Sequence, residues 1–164
     1  MENIIRHTGI NLGGINSINW MYCEDISLFN ISATSLYCAI TPITGKDWNS
    51  FYATPETMQL DSEQQDTPSG IKYVYKLKAL IPKDRIDVEN QLFQMTGRCL
   101  ILKITDKNNT IRILGTMNSP MKITSKLLKP LVLEGFNGYD ILFSGEFSKP
   151  AFFMHPPGGG ISID

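Results

Sequence analysis

The sequence predicts a mainly β chain of the α+β class: an antiparallel β-sandwich or partly closed barrel with one flanking α-helix. Three observations carry this. Ile71, Tyr73, Tyr75, Leu77, Ala79 and Ile81 alternate with Lys72, Val74, Lys76, Lys78 and Leu80, and a period of two lays the sets on opposite faces of a strand. Lysines along one face mark it as wet, as in antiparallel sheets. In RIDVENQLFQMT, Val88, Leu92 and Met95 fall at i, i+4 and i+7 and form one apolar helical stripe. CLILKIT and TIRILGT flank the polar turn DKNN and read as a hairpin. One helix among roughly seven to nine strands leaves a sandwich or a barrel.

The elements follow in order. Residues 1–17, with Gly9, Gly13 and Gly14 and few large apolar side chains, read as an arm. The single β-rich domain then spans 18–155. Ile18, Trp20 and Tyr22 alternate with Asn19, Met21 and Cys23 and give a first strand with aromatic weight. DISLFNISATS reads as a connection, LYCAITPI as a short strand broken at Pro42, and TGKD as a turn. WNSFYAT is a strand with Trp48, Ser50 and Tyr52 on one face and Asn49, Phe51 and Ala53 on the other. The stretch SEQQDTPSG is longer than an ordinary hairpin loop, acidic and poor in apolar residues. It reads as a surface loop, mobile or ordered only against a neighbouring subunit.

Pro82 then ends the lysine-bearing strand by removing a backbone donor. Asp84 is placed to cap the helix, and Gly97 to take the left-handed position that ends it. Beyond the hairpin, Met121 and Ile123 alternate with Lys122 and Thr124. Pro130 confines KLLKPLVLEG to an edge or an irregular path. Asn137-Gly138 is a turn signal before YDILFSGEF, where Gly145 marks a bulge or a close backbone approach. KPAFFMHP closes the domain, and 156–164 is a flexible C-terminal tail.

At 164 residues, 42% of them hydrophobic, one compact domain with its own core is expected. No apolar run approaches the ~20 residues that cross a bilayer, and no secretory signal opens the chain; no membrane partner is expected. A net charge of −1 gives no long-range pull on nucleic acid. Cys23, Cys38 and Cys99 are odd in number, which suits reduced thiols in a cytosolic product. Cys38 and Cys99 sit in apolar contexts and read as small core residues. The chain has no serine-hydrolase elbow, no zinc spacing and no phosphate loop. No catalytic residue, cofactor or metal is expected. Trp20, Trp48, Tyr73 and Tyr75 could form a sugar-binding face, yet at alternating strand positions aromatics are usually core.

Four stretches carry a resemblance. They are IIRHTGINLGGI, the run from WNSFYAT to IPKD, LILKITDKNNTIRILGTMNSPMKIT, and GYDILFSGEFSKPAFF. In these the chain resembles small proteins of tail-structural gene clusters in Bacteroidetes phages and prophages. It departs in having Ile113-Leu114 where the pattern has paired leucines, and in its longer PPGGGISID tail. The resemblance implies a non-enzymatic virion protein with a tail-tube or terminator type of fold. It would assemble as a homo-oligomeric ring with other tail or connector proteins, and touch DNA only if it lines a lumen. In such a ring one surface meets a different surface of the next copy. The acidic stretch with Asp61, Glu63, Gln64 and Asp66 and the lysine face Lys72, Lys76 and Lys78 are the expected complementary surfaces. The alternative is a small binding module for a carbohydrate or cell-surface ligand; an enzyme ranks third.

Overall fold

Residues 10–131 and 135–154 are described by the computed structural model. Eleven strands and one α-helix follow one another in the order β1 (Ile15–Tyr22), β2 (Ile26–Ile31), β3 (Cys38–Pro42), β4 (Asn49–Phe51), β5 (Gln59–Thr67), β6 (Gly70–Pro82), α1 (Ile86–Met95), β7 (Leu100–Asp106), β8 (Ile111–Leu114), β9 (Lys122–Leu128), β10 (Gly138–Phe147) and β11 (Phe152–Met154). They form a five-stranded sheet ordered β11-β8-β7-β1-β4, a four-stranded sheet ordered β5-β6-β10-β9, and the β2-β3 pair. Among the described residues neither large sheet closes on itself. The fold is an antiparallel β-sandwich with one flanking helix, and the barrel alternative is set aside.

Inward-facing residues of the two large sheets make the main core. Ile18, Trp20, Leu102 and Leu114 come from one side, and Tyr75, Leu77, Ile141 and Phe143 from the other. Helix α1 adds Val88, Leu92 and Met95, the stripe its period predicts. Thr96 caps its C-terminus by donating its backbone N–H to the Leu92 carbonyl, and Gly97 follows at φ +77°. Each such buried side chain stabilises the fold by about 1.5–3 kcal/mol against its exposed state.

A third layer was not legible. DISLFNISATS is not merely a connection: Ile26–Ile31 is a strand paired with β3. This pair covers the back of the five-stranded sheet over Met21, Cys23, Ile26, Cys38, Ile101, Ile113 and Phe152. Hence Leu100, Ile101 and Leu102 are all fully buried, because a strand covered on both faces carries an apolar run instead of an alternation. Met21, on the face of β1 opposite Trp20, is buried for the same reason. Cys99 corrects its expectation: it is exposed, lying in the connection just before β7, while Cys23 and Cys38 are buried. β4 is shorter than WNSFYAT, and Tyr52 beyond it is 85% exposed.

Asp84 does not cap α1. Arg85 holds the cap position without a side-chain bond. Asp84 instead accepts hydrogen bonds from the Tyr139 hydroxyl at 2.8 Å and from Lys129 Nζ at 2.6 Å. These two donors hold its carboxyl below the usual carboxylate range, Lys129 contributing most. Burial, then the Asp84 acceptor, pushes the Tyr139 hydroxyl up to about 12. Since the folded carboxyl is the more acidic, its contribution is complete above its unfolded value of about 4. It fades as pH falls through the lower, folded value. Asp84→Asn is expected to lower the thermal midpoint at neutral pH and to flatten its decline below about pH 4. A pH series of thermal unfolding checks both.

Candidate assembly interface

The acidic stretch is a strand, not a loop. Asp61–Thr67 lies within β5, which pairs with β6 from Gln59↔Lys78 to Thr67↔Gly70 around the two-residue turn Pro68-Ser69. Gly70 takes φ +111° there, and the Thr67 hydroxyl donates to the Gly70 carbonyl at 2.6 Å. The composition hid the strand because β5 is exposed or half-exposed along its whole length. A strand with no buried face has no reason to alternate. Its conformation is imposed by β6, whose own alternation is strong.

The pleat divides the residues expected to act together. Asp61 and Glu63 lie on the outer face with Lys72, Lys76 and Lys78; Gln64 and Asp66 lie on the core-side face, opposite Tyr73 and Ile71. Asp61 stands directly across from Lys76 in the same hairpin. The acidic and lysine surfaces are therefore cross-strand neighbours within one chain, not two separated faces. Lys72 pairs with Glu146 of β10 at 3.1 Å. Among the described residues no ion pair takes in Asp61, Glu63 or Asp66, nor Lys76 or Lys78. Asp61 accepts from Gln59 and Glu63 from Gln65 along their own strand.

What the sequence did not single out is the opposite rim of this sheet. β5 and β9 are its two edge strands, and no described strand pairs with the free side of either. On β9, Lys122 and Lys126 stand on the outer face opposite Ser144 and Asp140, while Ile123 points into the core. One edge is thus acidic and the other basic on the same face. Every junction in the sheet is antiparallel. With an even number of strands, a second copy in the same orientation presents its β5 antiparallel to the β9 of the first.

Two open clefts of about 330 Å³ each lie among the described residues. One, beside β2 and the 115–119 and 148–151 connections, has Lys149 as its ionisable group. In the other, Asp106 is engaged by the Asn108 and Thr110 amides at 2.8 Å each, so it builds the turn before β8. No group of three or more potential metal ligands occurs among the described residues, and none of their helices is long and apolar enough to cross a membrane. Trp20 and Tyr75 lie in the core, and Trp48 and Tyr73 pack at its margins. Of the expected arm, residues 15–17 already belong to β1, and Leu12 is tied by its amide and carbonyl to the Asn108 side chain. The first nine residues and the tail from 155 on lie outside the described residues. Compared with family models, curated proteins and solved structures, the chain finds no match.

Proposed function

We propose that this chain is a non-enzymatic structural subunit of a phage tail or head–tail connector, forming a homo-oligomeric ring in the virion. The observation that carries the reading is the pair of open edges on one sheet, acidic at β5 and basic at β9, oriented so that successive copies continue the antiparallel alternation. An open edge is a template for another strand, and an edge that meets a different edge generates closed rings or filaments. A two-fold pairing of β5 with β5 would oppose carboxylates, and of β9 with β9 would oppose lysines; both are disfavoured. The β5–β6 hairpin adds reach, since its tip beyond Gln64 and Tyr73 extends past the last residue that pairs with β10.

Light scattering on the purified chain, with negative-stain imaging, tests the reading. Closed particles whose mass is a multiple of 18.4 kDa are expected. A monomer at all concentrations overturns ring assembly, and a monomer that retains a glycan moves the reading to a carbohydrate-binding module.

A further inference from the structure

We propose that Cys23 and Cys99 form a redox-modifiable pair, in which exposed Cys99 captures an external disulfide and buried Cys23 displaces it to close a cross-strand bond. The inference stands apart from the assembly reading. The β1–β7 register places Tyr22 opposite Leu100, so the next position brings Cys23 opposite Cys99. The ladder is still formed there: the Cys23 amide donates to the Cys99 carbonyl at 3.1 Å. A hydrogen-bonded antiparallel pair has Cα atoms about 5.5 Å apart, inside the usual disulfide range. The Cys23 carbonyl accepts instead from the Ile26 amide in the short 3-10 turn Cys23–Asp25, so the pair is the last rung of the ladder.

The sites differ in access. Cys99 is exposed; Cys23 lies in the apolar cluster behind the five-stranded sheet. Burial first, and then the neighbouring Cys99, push the Cys23 thiol up to about 11. Cys38, in the same cluster, is pushed to about 12 by burial alone. Attack therefore begins at Cys99, since only a thiolate exchanges with a disulfide. Its sulfur bonds to one sulfur of a low-molecular-weight disulfide and the other sulfur leaves as a thiol. Cys23 then loses its proton and attacks the Cys99 sulfur, and the second small thiol departs with that proton. One disulfide is reduced to two thiols while the two protein thiols are oxidised to one disulfide. Such a bond forms when a chain made in a reducing compartment meets an oxidising one.

Incubating the folded chain with oxidised glutathione, followed by intact mass and non-reducing peptide mapping, tests the pair. The expected product lacks two hydrogens and links the Cys23 and Cys99 peptides. Its closure rate should keep climbing with pH beyond about 8.5, where an ordinary thiol levels off. Cys23→Ser should stop at a stable glutathione adduct on Cys99, and Cys99→Ser should leave both remaining thiols unmodified. A persistent adduct on Cys99 in the unaltered chain, a linkage through Cys38, or no reaction at all overturns the proposal. If Cys23→Ser fails to fold, the linkage map of the unaltered chain decides alone.

Discussion

Gly138→Ala is expected to be among the most damaging single substitutions in the chain, costing about 3 kcal/mol or more. Gly138 opens β10 at φ +155°, and a Cβ there would sit 2.1 Å from the Ile81 carbonyl oxygen and 3.0 Å from the Phe136 ring. Phe136 could swing away. The Ile81 carbonyl could not, because it belongs to β6, which pairs with β10 at every position from Gly138↔Pro82 to Phe147↔Tyr73. Backbone must shift where the central pair of the four-stranded sheet begins, beside the buried Ile81 and Tyr139. Gly13→Ala is the control: nothing lies within 4 Å of its added carbon, and a change within about 0.5 kcal/mol is expected. Urea denaturation of the two variants measures the contrast. Equal stabilities would mean that β6 and β10 do not approach as closely as described.

Reversing the charge of one edge is expected to abolish assembly without unfolding the subunit. Lys122 and Lys126 are exposed on the outer face of β9, and Asp61 and Glu63 lie on the same face of β5, with Asp66 on its other face. Exposed cross-strand charge pairs contribute about 0.2–1 kcal/mol each, and like charges cost as much. Turning two attractions into repulsions therefore weakens each junction by roughly 1–3 kcal/mol, on the order of tenfold to a hundredfold in affinity. Lys122→Glu with Lys126→Glu should leave a folded monomer, as should lysine at positions 61, 63 and 66. A chain carrying both sets regains the complementarity with its polarity exchanged, and rings should return. Light scattering and circular dichroism separate loss of assembly from loss of fold. Reversals that leave the particles unchanged would place the interface elsewhere. Because Asp61 also faces Lys76 within its own hairpin, the β9 reversal is the cleaner of the two.

The parts of the fold that were legible in the sequence are those with one buried and one wet face. β6 and β10 alternate because the main core lies on one side only, and α1 shows its stripe for the same reason. Gly145 read as a bulge or a close backbone approach, and neither occurs: side chains close on it instead. The β6–β10 register runs unbroken past it, and an added carbon would stand 2.6 Å from the Met121 sulfur and the Phe147 ring. Illegible were the extremes of burial. β7 is buried on both faces, so its apolar run could not announce the β2–β3 layer behind it. β5 buries no residue fully, and only Leu60 packs against the core, so its polar run looked like a loop. The candidate interface suffered most, because an edge is a property of strand order. Lys122 and Lys126 become an edge only once β9 is known to lie at the rim, and Asp61 and Lys76 become neighbours only through the hairpin register. Asp84 failed as a cap because Tyr139 and Lys129, far along the chain, offer it better donors than the first turn of α1.

Amide hydrogen exchange across a dilution series tests the central claim most directly. In a free subunit, alternate amides of Gln59–Thr67 and of Lys122–Leu128 point away from the sheet and should exchange within the dead time of the measurement. If β5 of one copy adds to β9 of the next, both sets should gain protection together, at the concentration where the particle mass rises. Edge amides that stay fast while the mass rises, or protection that appears at one edge alone, would contradict it.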